Sequence, residues 1–400
     1  MAKLIPDFHS AAVPKDGARN ITQTLPQRII PNVDPKVLFR LPNATPVLTM
    51  TKGIRGSKSV DNRVFGWLFK DKYPRHSAVV SPALDDNDVT LNVTAGTGVR
   101  FFTNAEVINA RTGEVFRVAS VATDALTIVR LSNAAAMSID DPLFIIGSAH
   151  GDGATRGALK SLEAVYDYNN CQIVRTAWGY TRRQSKTGLL GGSDPKILKQ
   201  EKTTEHALDM EYIGIFGRRH VEIVNNVELT YAGGILEFVE PISAVDFENT
   251  APTFDEFNQI LEWAMAEGDG GYANRKGDAT KYLVHSPAYG TLFDKWWGER
   301  IEYRPADTNL GLKVGFINTS HGRLGLMRHP LLMGEFGDRA LLLDFNHITA
   351  VNFKDGDTTL KENIEAPSTD GSEHEYLTDF SLQIENARAH TSFKGLPKSV

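Results

Sequence analysis

Residues 194–217, DPKILKQEKTTEHALDMEYIGIFG, read as one long helix, and the organisation of the chain turns on that reading. Asp194 is a good N-cap, and Pro195 suits the first helical position, where its missing N–H costs nothing. No breaker follows until Gly214 and Gly217, which gives about 20 residues and ~30 Å at 1.5 Å per residue. The first half is too polar to be buried all round, whereas MEYIGIF is apolar enough to enter a core. One end is anchored and the other faces solvent or a neighbour.

The same stretch packs Glu205, His206, Asp209 and Glu211 into seven residues, with Arg218, Arg219 and His220 just behind. On a helix, side chains three and four apart share a face, so Glu205, His206 and Asp209 are a candidate metal set for a hydrolase. The zinc-protease arrangement needs a second histidine four residues after the first, and that position is Met210. Interleaved acids and bases from Lys196 to Glu211 fit a solvated or subunit-facing surface better. Glu205, His206 and Asp209 are therefore expected on an exposed contact edge, with no metal and no cofactor.

The totals narrow the function classes. Four hundred residues suffice for two or three domains. A net charge of −6 disfavours a protein that grips phosphate backbones. The single cysteine, Cys171, excludes an intrachain disulfide; it alternates with Ile173 as a buried strand residue would. No run of 18 apolar residues and no N-terminal apolar h-region occur, so a soluble, unexported chain without a membrane partner is expected.

Seven of the 18 prolines lie in residues 1–50, which predicts an extended arm, because proline denies the backbone both helix and ladder bonds. From about Val60 to Thr176, short period-2 runs such as Phe65, Trp67, Phe69 and Val89, Leu91, Val93 alternate between turn signals. They predict a β-rich module with projecting hairpins. Beyond the long helix, Thr253-Phe254-Asp255-Glu256 is a capping box opening a helix whose apolar stripe runs Phe254, Phe257, Ile260, Leu261, Ala264, Met265 to Gly268. TKYLVHSPAYGTLFDKWW reads as a strand entering a helix capped by Ser286, and KVGFIN, RALLLDF and DFSLQIE read as strands. In the last, Phe380, Leu382 and Ile384 are expected inward and Asp379, Ser381, Gln383 and Glu385 outward.

Other motifs are incomplete. GDGATRG (151–157) lacks the Gly-Lys-Ser/Thr ending of a phosphate loop and reads as a turn. DDND (85–88) lacks the glycine and distal glutamate of a calcium loop and reads as a polar hairpin tip, and SEHE (372–375) reads as a surface loop. No G-x-S-x-G elbow occurs. Arg175, Arg182, Arg183 and Lys186 form a basic stretch that suits the acidic face of a sister subunit better than nucleic acid.

The order of parts and several local strings resemble the major capsid proteins of tailed bacteriophages, whose fold is known as HK ninety-seven. The resemblance is to the branch with a β-rich insertion in the extended loop. It is carried by Tyr168-Asn169-Asn170-Cys171-Gln172-Ile173-Val174-Arg175-Thr176, the Gly191-Gly192 pair, Asp209-Met210-Glu211-Tyr212, Phe216-Gly217-Arg218-Arg219 and Asn386-Ala387-Arg388-Ala389-His390. The resemblance implies an α+β fold: an N-terminal arm (1–59), an extended loop with β insertion (60–185), and a peripheral domain with a spine helix (186–269). An axial domain (270–350) and C-terminal strands returning to the peripheral domain (351–400) complete it. It also implies pentamers and hexamers of one chain enclosing double-stranded DNA in a virion head, without sequence-specific binding. A portal, a separate scaffolding protein and a decoration protein are the further expected partners. Candidate inter-subunit contacts are Arg63, Trp67, Arg175, Arg182, Arg183, Glu205, His206 and Asp209. An encapsulin-like cellular compartment is the alternative use of the same fold.

Overall fold

The computed structural model describes residues 45–397 apart from stretches at 71–73, 79–84, 86, 133, 155–156, 158–159, 188–193, 268–279, 298–301, 306–312 and 320. The expectations for residues 1–44, for Gly191-Gly192 and for the Gly268 stop lie outside them. The fold is mixed α/β, built around three hydrophobic clusters.

The long helix is present as Asp194–Phe216, 23 residues. It lies across a sheet ordered Ser57–Val60, Ile348–Phe353, Gly371–Ile384, Gln172–Thr181, with Thr359–Glu362 also paired to the 14-residue Gly371 strand. Met210 and Ile215 of its apolar half join Phe380, Leu382 and Ile384 in one core, as the pattern predicts. The polar residues of that strand do not all face out: Ser381 and Gln383 are buried, because its second face is covered too. SEHE is likewise no loop. It forms the start of this strand, paired with Trp178–Tyr180 and Ala177, and His374 and Glu375 are buried.

The proline argument fails at one place. Pro46–Arg55 is a helix, with Pro46 at its start, where proline is tolerated. Val47, Leu48, Met50 and Thr51 are buried, and Gly56, at φ +74°, turns the chain into Ser57–Val60, which pairs in parallel with Ile348–Phe353. We call Pro46–Arg55 the root helix.

A seven-stranded mixed sheet runs Ala244–Asp246, Thr391–Lys394, Ala340–Leu343, Thr280–His285, Gly322–Arg328, Lys313–Thr319, Glu302–Pro305. The helices Phe254–Glu267 and Pro287–Trp297 bury Phe257, Leu261, Ala264, Phe293 and Trp297 against Leu283, Leu342 and Phe393. The capping box forms as read: Thr253 N–H donates to Glu256 Oε2 at 2.8 Å and Glu256 N–H to Thr253 Oγ1 at 3.3 Å. Phe254, by contrast, is exposed.

The β-rich module is a six-stranded sheet, His76–Ala78, Pro142–Ser148, Ala105–Asn109, Val115–Ala122, Ala125–Ser132, Thr90–Asn92. Its own core contains Leu91, Val93, Phe101, Val107, Phe116, Val118, Leu126 and Ile128. Two charge locks hold its loops. Arg130 grips both oxygens of the buried Glu114 at 2.7 and 2.8 Å and the Asp85 carbonyl at 2.6 Å, which fixes part of DDND. Arg111 pairs with Asp141, and that hydrogen bond, with those from Asn109 and the Ser138 N–H, holds the Asp141 carboxyl down at about 2.

Candidate contact surfaces

The module is joined to the body by a two-stranded ribbon, Val64–Phe69 paired with Val165–Asn170. Alternation gives the ribbon two faces. Phe65 and Trp67 point into the main core, with Trp67 5.8 Å from the ring of Phe238. The other face carries Val64, Leu68, Tyr166 and Tyr168, and Leu68 and Tyr166 are 69% and 60% exposed. Tyr166 and Tyr168 stack at 6.3 Å, and a Cβ at Gly66 would meet the Tyr166 ring at 2.3 Å, so the glycine makes room for it.

The ribbon is anchored by the string that carried the family resemblance. Asn169 is fully buried and uses both ends of its amide: Nδ2 donates to the carbonyls of Gly233 and Leu382, and Oδ1 accepts from Gly233 and Asn170 N–H. Cys171 N–H donates to the Arg63 carbonyl, its own carbonyl accepts from Thr230 Oγ1, and Gln172 Oε1 accepts from Ala232 N–H. Cys171 is buried, which pushes its thiol up to about 12, but Ile173 is exposed, so the expected alternation between them does not hold. Arg219 sits over the rings of Tyr168 and Phe238 at 4.9 and 4.6 Å and pairs with Asp167 and Glu237. Sequence reasoning missed Arg219. Its neighbours in the fold are some 20 and 50 residues away, and nothing in FGRRH separates it from Arg218.

Beside the ribbon projects a hairpin, His220–Val224 with Val227–Tyr231, turning through Asn225 and Asn226, both at positive φ as a type I′ turn requires. Every residue from His220 to Leu229 in its two strands is exposed, Ile223 at 72%. Arg63 pairs with Glu228 and so ties the hairpin to the ribbon.

The remaining candidates fall in two groups. Arg175, Arg182, Arg183 and Glu205 are exposed. Arg175 and Arg182 already have partners in their own chain, Glu375 at 3.6 Å and Asp370 at 2.7 Å, and Glu205 pairs with Lys202. His206 is not on the exposed edge. It is 2% exposed, held between Thr176 Oγ1 at 2.8 Å and Thr378 Oγ1 at 2.7 Å. Polar partners on the sheet admit a histidine to a core that the helix pattern alone marked as surface. Thr378 gives its proton to Thr358, so it accepts from His206 Nε2–H, and Thr176 donates to Nδ1. Burial lowers the His206 pKa against the pull of Asp209. Asp209 is half-buried and raised, first by burial and then by Glu205. Trp67 is turned into its own chain's core rather than outward. Among the described residues, no group of three or more His, Cys, Asp or Glu side chains is placed to hold a metal ion. No described helix is long and apolar enough to cross a membrane.

Polar knots at Asn169 and Arg219 hold β projections whose outer faces are exposed, an arrangement suited to contact. The chain belongs to the SU10 major capsid protein family, whose model matches residues 17–397, and its role is that of a phage major capsid protein in the virion shell. It is 26% identical over 315 residues to the major capsid protein of Pseudomonas phage PaMx41, covering 74% of this chain and 71% of that one. Similar solved structures include the capsid of a native GTA particle, with 9% identity, TM-score 0.49, and 95% and 100% of the two chains covered. Gordonia phage Cozz has 12% identity, TM-score 0.47, and 96% and 98% covered.

Proposed function

We propose that the chain is a non-enzymatic subunit of the HK ninety-seven type that self-assembles as pentamers and hexamers into a closed icosahedral head around double-stranded DNA. In this reading, residues 1–59 are the N-terminal arm, 60–185 the extended loop with its β insertion, and 186–269 the peripheral domain. Residues 270–350 are the axial domain and 351–400 the returning strands. Portal, scaffolding and decoration proteins are the further partners. The carrying observation is the outer face of the ribbon. The ribbon is anchored from beneath by Phe65, Trp67 and Asn169, yet it displays Leu68, Tyr166 and Tyr168 on its outer face, which makes sense where a neighbouring copy covers them. The adjoining hairpin, with Ile223 and Val227 outward, extends the same surface.

Arg63, Arg175, Arg182, Arg183, Glu205 and Asp209 form the polar rim of this contact in our reading, while Trp67 and His206 support it from beneath. A net charge of −6 suits a wall that must not hold packed DNA. The test is the double variant Leu68→Lys, Tyr166→Glu. Both side chains point to solvent in the single chain, so the variant is expected to keep the unassembled fold and circular dichroism while its shell yield falls by tenfold or more. Shells formed at the normal yield would remove the ribbon from the contact.

A further inference from the structure

Glu211 ends a run of interleaved charges that predicts a solvated or subunit-facing surface, yet it is fully buried, and three donors from two distant segments converge on it. Val47 N–H donates to Oε1 at 2.8 Å and Leu48 N–H to Oε2 at 2.9 Å, so the carboxylate closes the N-terminus of the root helix. A carboxylate at that end satisfies orphan N–H groups and complements the helix dipole. The third donor is His329, also fully buried, whose Nε2 lies 2.8 Å from Oε1. Leu331 N–H donates to His329 Nδ1 at 3.1 Å, which fixes the tautomer with the proton on Nε2. His329 follows the strand Gly322–Arg328 of the seven-stranded sheet, and its N–H donates to the His285 carbonyl. One carboxylate therefore joins the root helix, the long helix Asp194–Phe216 and the 329–332 corner of the other sheet.

We propose that Glu211 and His329 form a latch through which release of the root helix and displacement of the 329–332 corner are one event. The arithmetic of donors supports coupling. If the root helix leaves, two of the three charge-assisted bonds go and Glu211 faces His329 with a buried, under-satisfied oxygen; if the corner leaves, the same carboxylate loses its side-chain donor. Either vacancy costs more than an ordinary hydrogen bond. The root helix also packs Val47, Leu48 and Met50 into the main core, and Gly56 and a four-residue parallel edge strand follow it, flanked by Arg55–Glu385 and Lys58–Gln383. In the shell reading, which this inference needs only for its role, the latch makes the hold on the root helix respond to movement between the two sheets.

The test is hydrogen exchange on the unassembled full-length chain, and so does not depend on whether shells form. In the unmodified protein under dilute denaturant, the amides of 47–51 and Leu331 are expected to open with one shared free energy, lower than that of the β-module core at 105–132. In Glu211→Gln the amide group presents hydrogens to at least one of the three donors at unchanged volume. Exchange in both segments should then rise at least tenfold and a tryptic cut at Lys52 or Arg55 should appear, with 105–132 unchanged. Two different opening free energies in the unmodified chain, or a variant that loosens one segment alone or the whole body uniformly, would overturn the latch. Should the variant fail to fold, the unmodified-chain measurement still decides.

Discussion

His206 shows how much a single residue can mislead when its partners lie far along the chain. Glu205 and Asp209 share its stretch of helix, and only the sheet brings Thr176 and Thr378 to either side of its ring. The consequence is a pH dependence with a definite sign. Burial lowers the folded-state pKa of His206 and His285 below the ordinary 6.5 and takes His390 to about 3. Above about pH 7 these groups are neutral in both states and contribute nothing to the slope. As pH falls below 6.5 the unfolded chain binds protons that the folded chain refuses. Stability is then lost, by up to ~1.4 kcal/mol per pH unit for each histidine, until the folded pKa is passed. Denaturant midpoints of the unassembled chain should fall between pH 7 and pH 5, and His206→Gln should flatten that limb; equal midpoints at the two pH values would contradict the burial account. Asn169 is the second test at this scale. Asn169→Ala strands buried backbone groups of Gly233 and Leu382, and should destabilise the chain by about 2–4 kcal/mol in denaturant melts. Cys171, buried with its thiol pushed up to about 12, should resist alkylation at pH 8 until the protein is unfolded.

Elements were legible in proportion to how local their signals are. The capping box at Thr253 is a four-residue statement, and it forms as written. Thr253→Ala should cost about 1 kcal/mol of stability by thermal or denaturant melts. An unchanged midpoint would mean that Phe257 and Leu261 hold that helix end unaided. The spine helix was legible from its start signal and its apolar second half. The root helix was not, because its stability comes from Glu211, more than 160 residues away, and from the core beneath Val47 and Met50. Proline density spoke for an extended arm, but proline at a helix start forbids nothing. The Gly371–Ile384 strand failed differently. Period-2 alternation assumes one wet face, and Ser381 and Gln383 lie on a second face that is also covered.

At the scale of the molecule, the sequence conveyed the order of parts better than their contacts. A β module, a long half-buried helix and an α/β region could all be read from periodicity, since each is a run of neighbouring residues. The anchors that convert those parts into a rigid subunit, Asn169, Arg219 and Glu211, were not legible, because each joins segments separated by tens to hundreds of positions. The ribbon lay between: Phe65 and Trp67 announced a strand with an inner face, but only the fold shows that Leu68 and Tyr166 remain uncovered on the outer one. We propose that these uncovered surfaces are buried by other copies of the same chain. Electron micrographs of the purified protein under assembly conditions test it most directly. Closed shells or ring-shaped capsomers are the predicted result; a strictly monomeric or dimeric species under every assembly condition would contradict it.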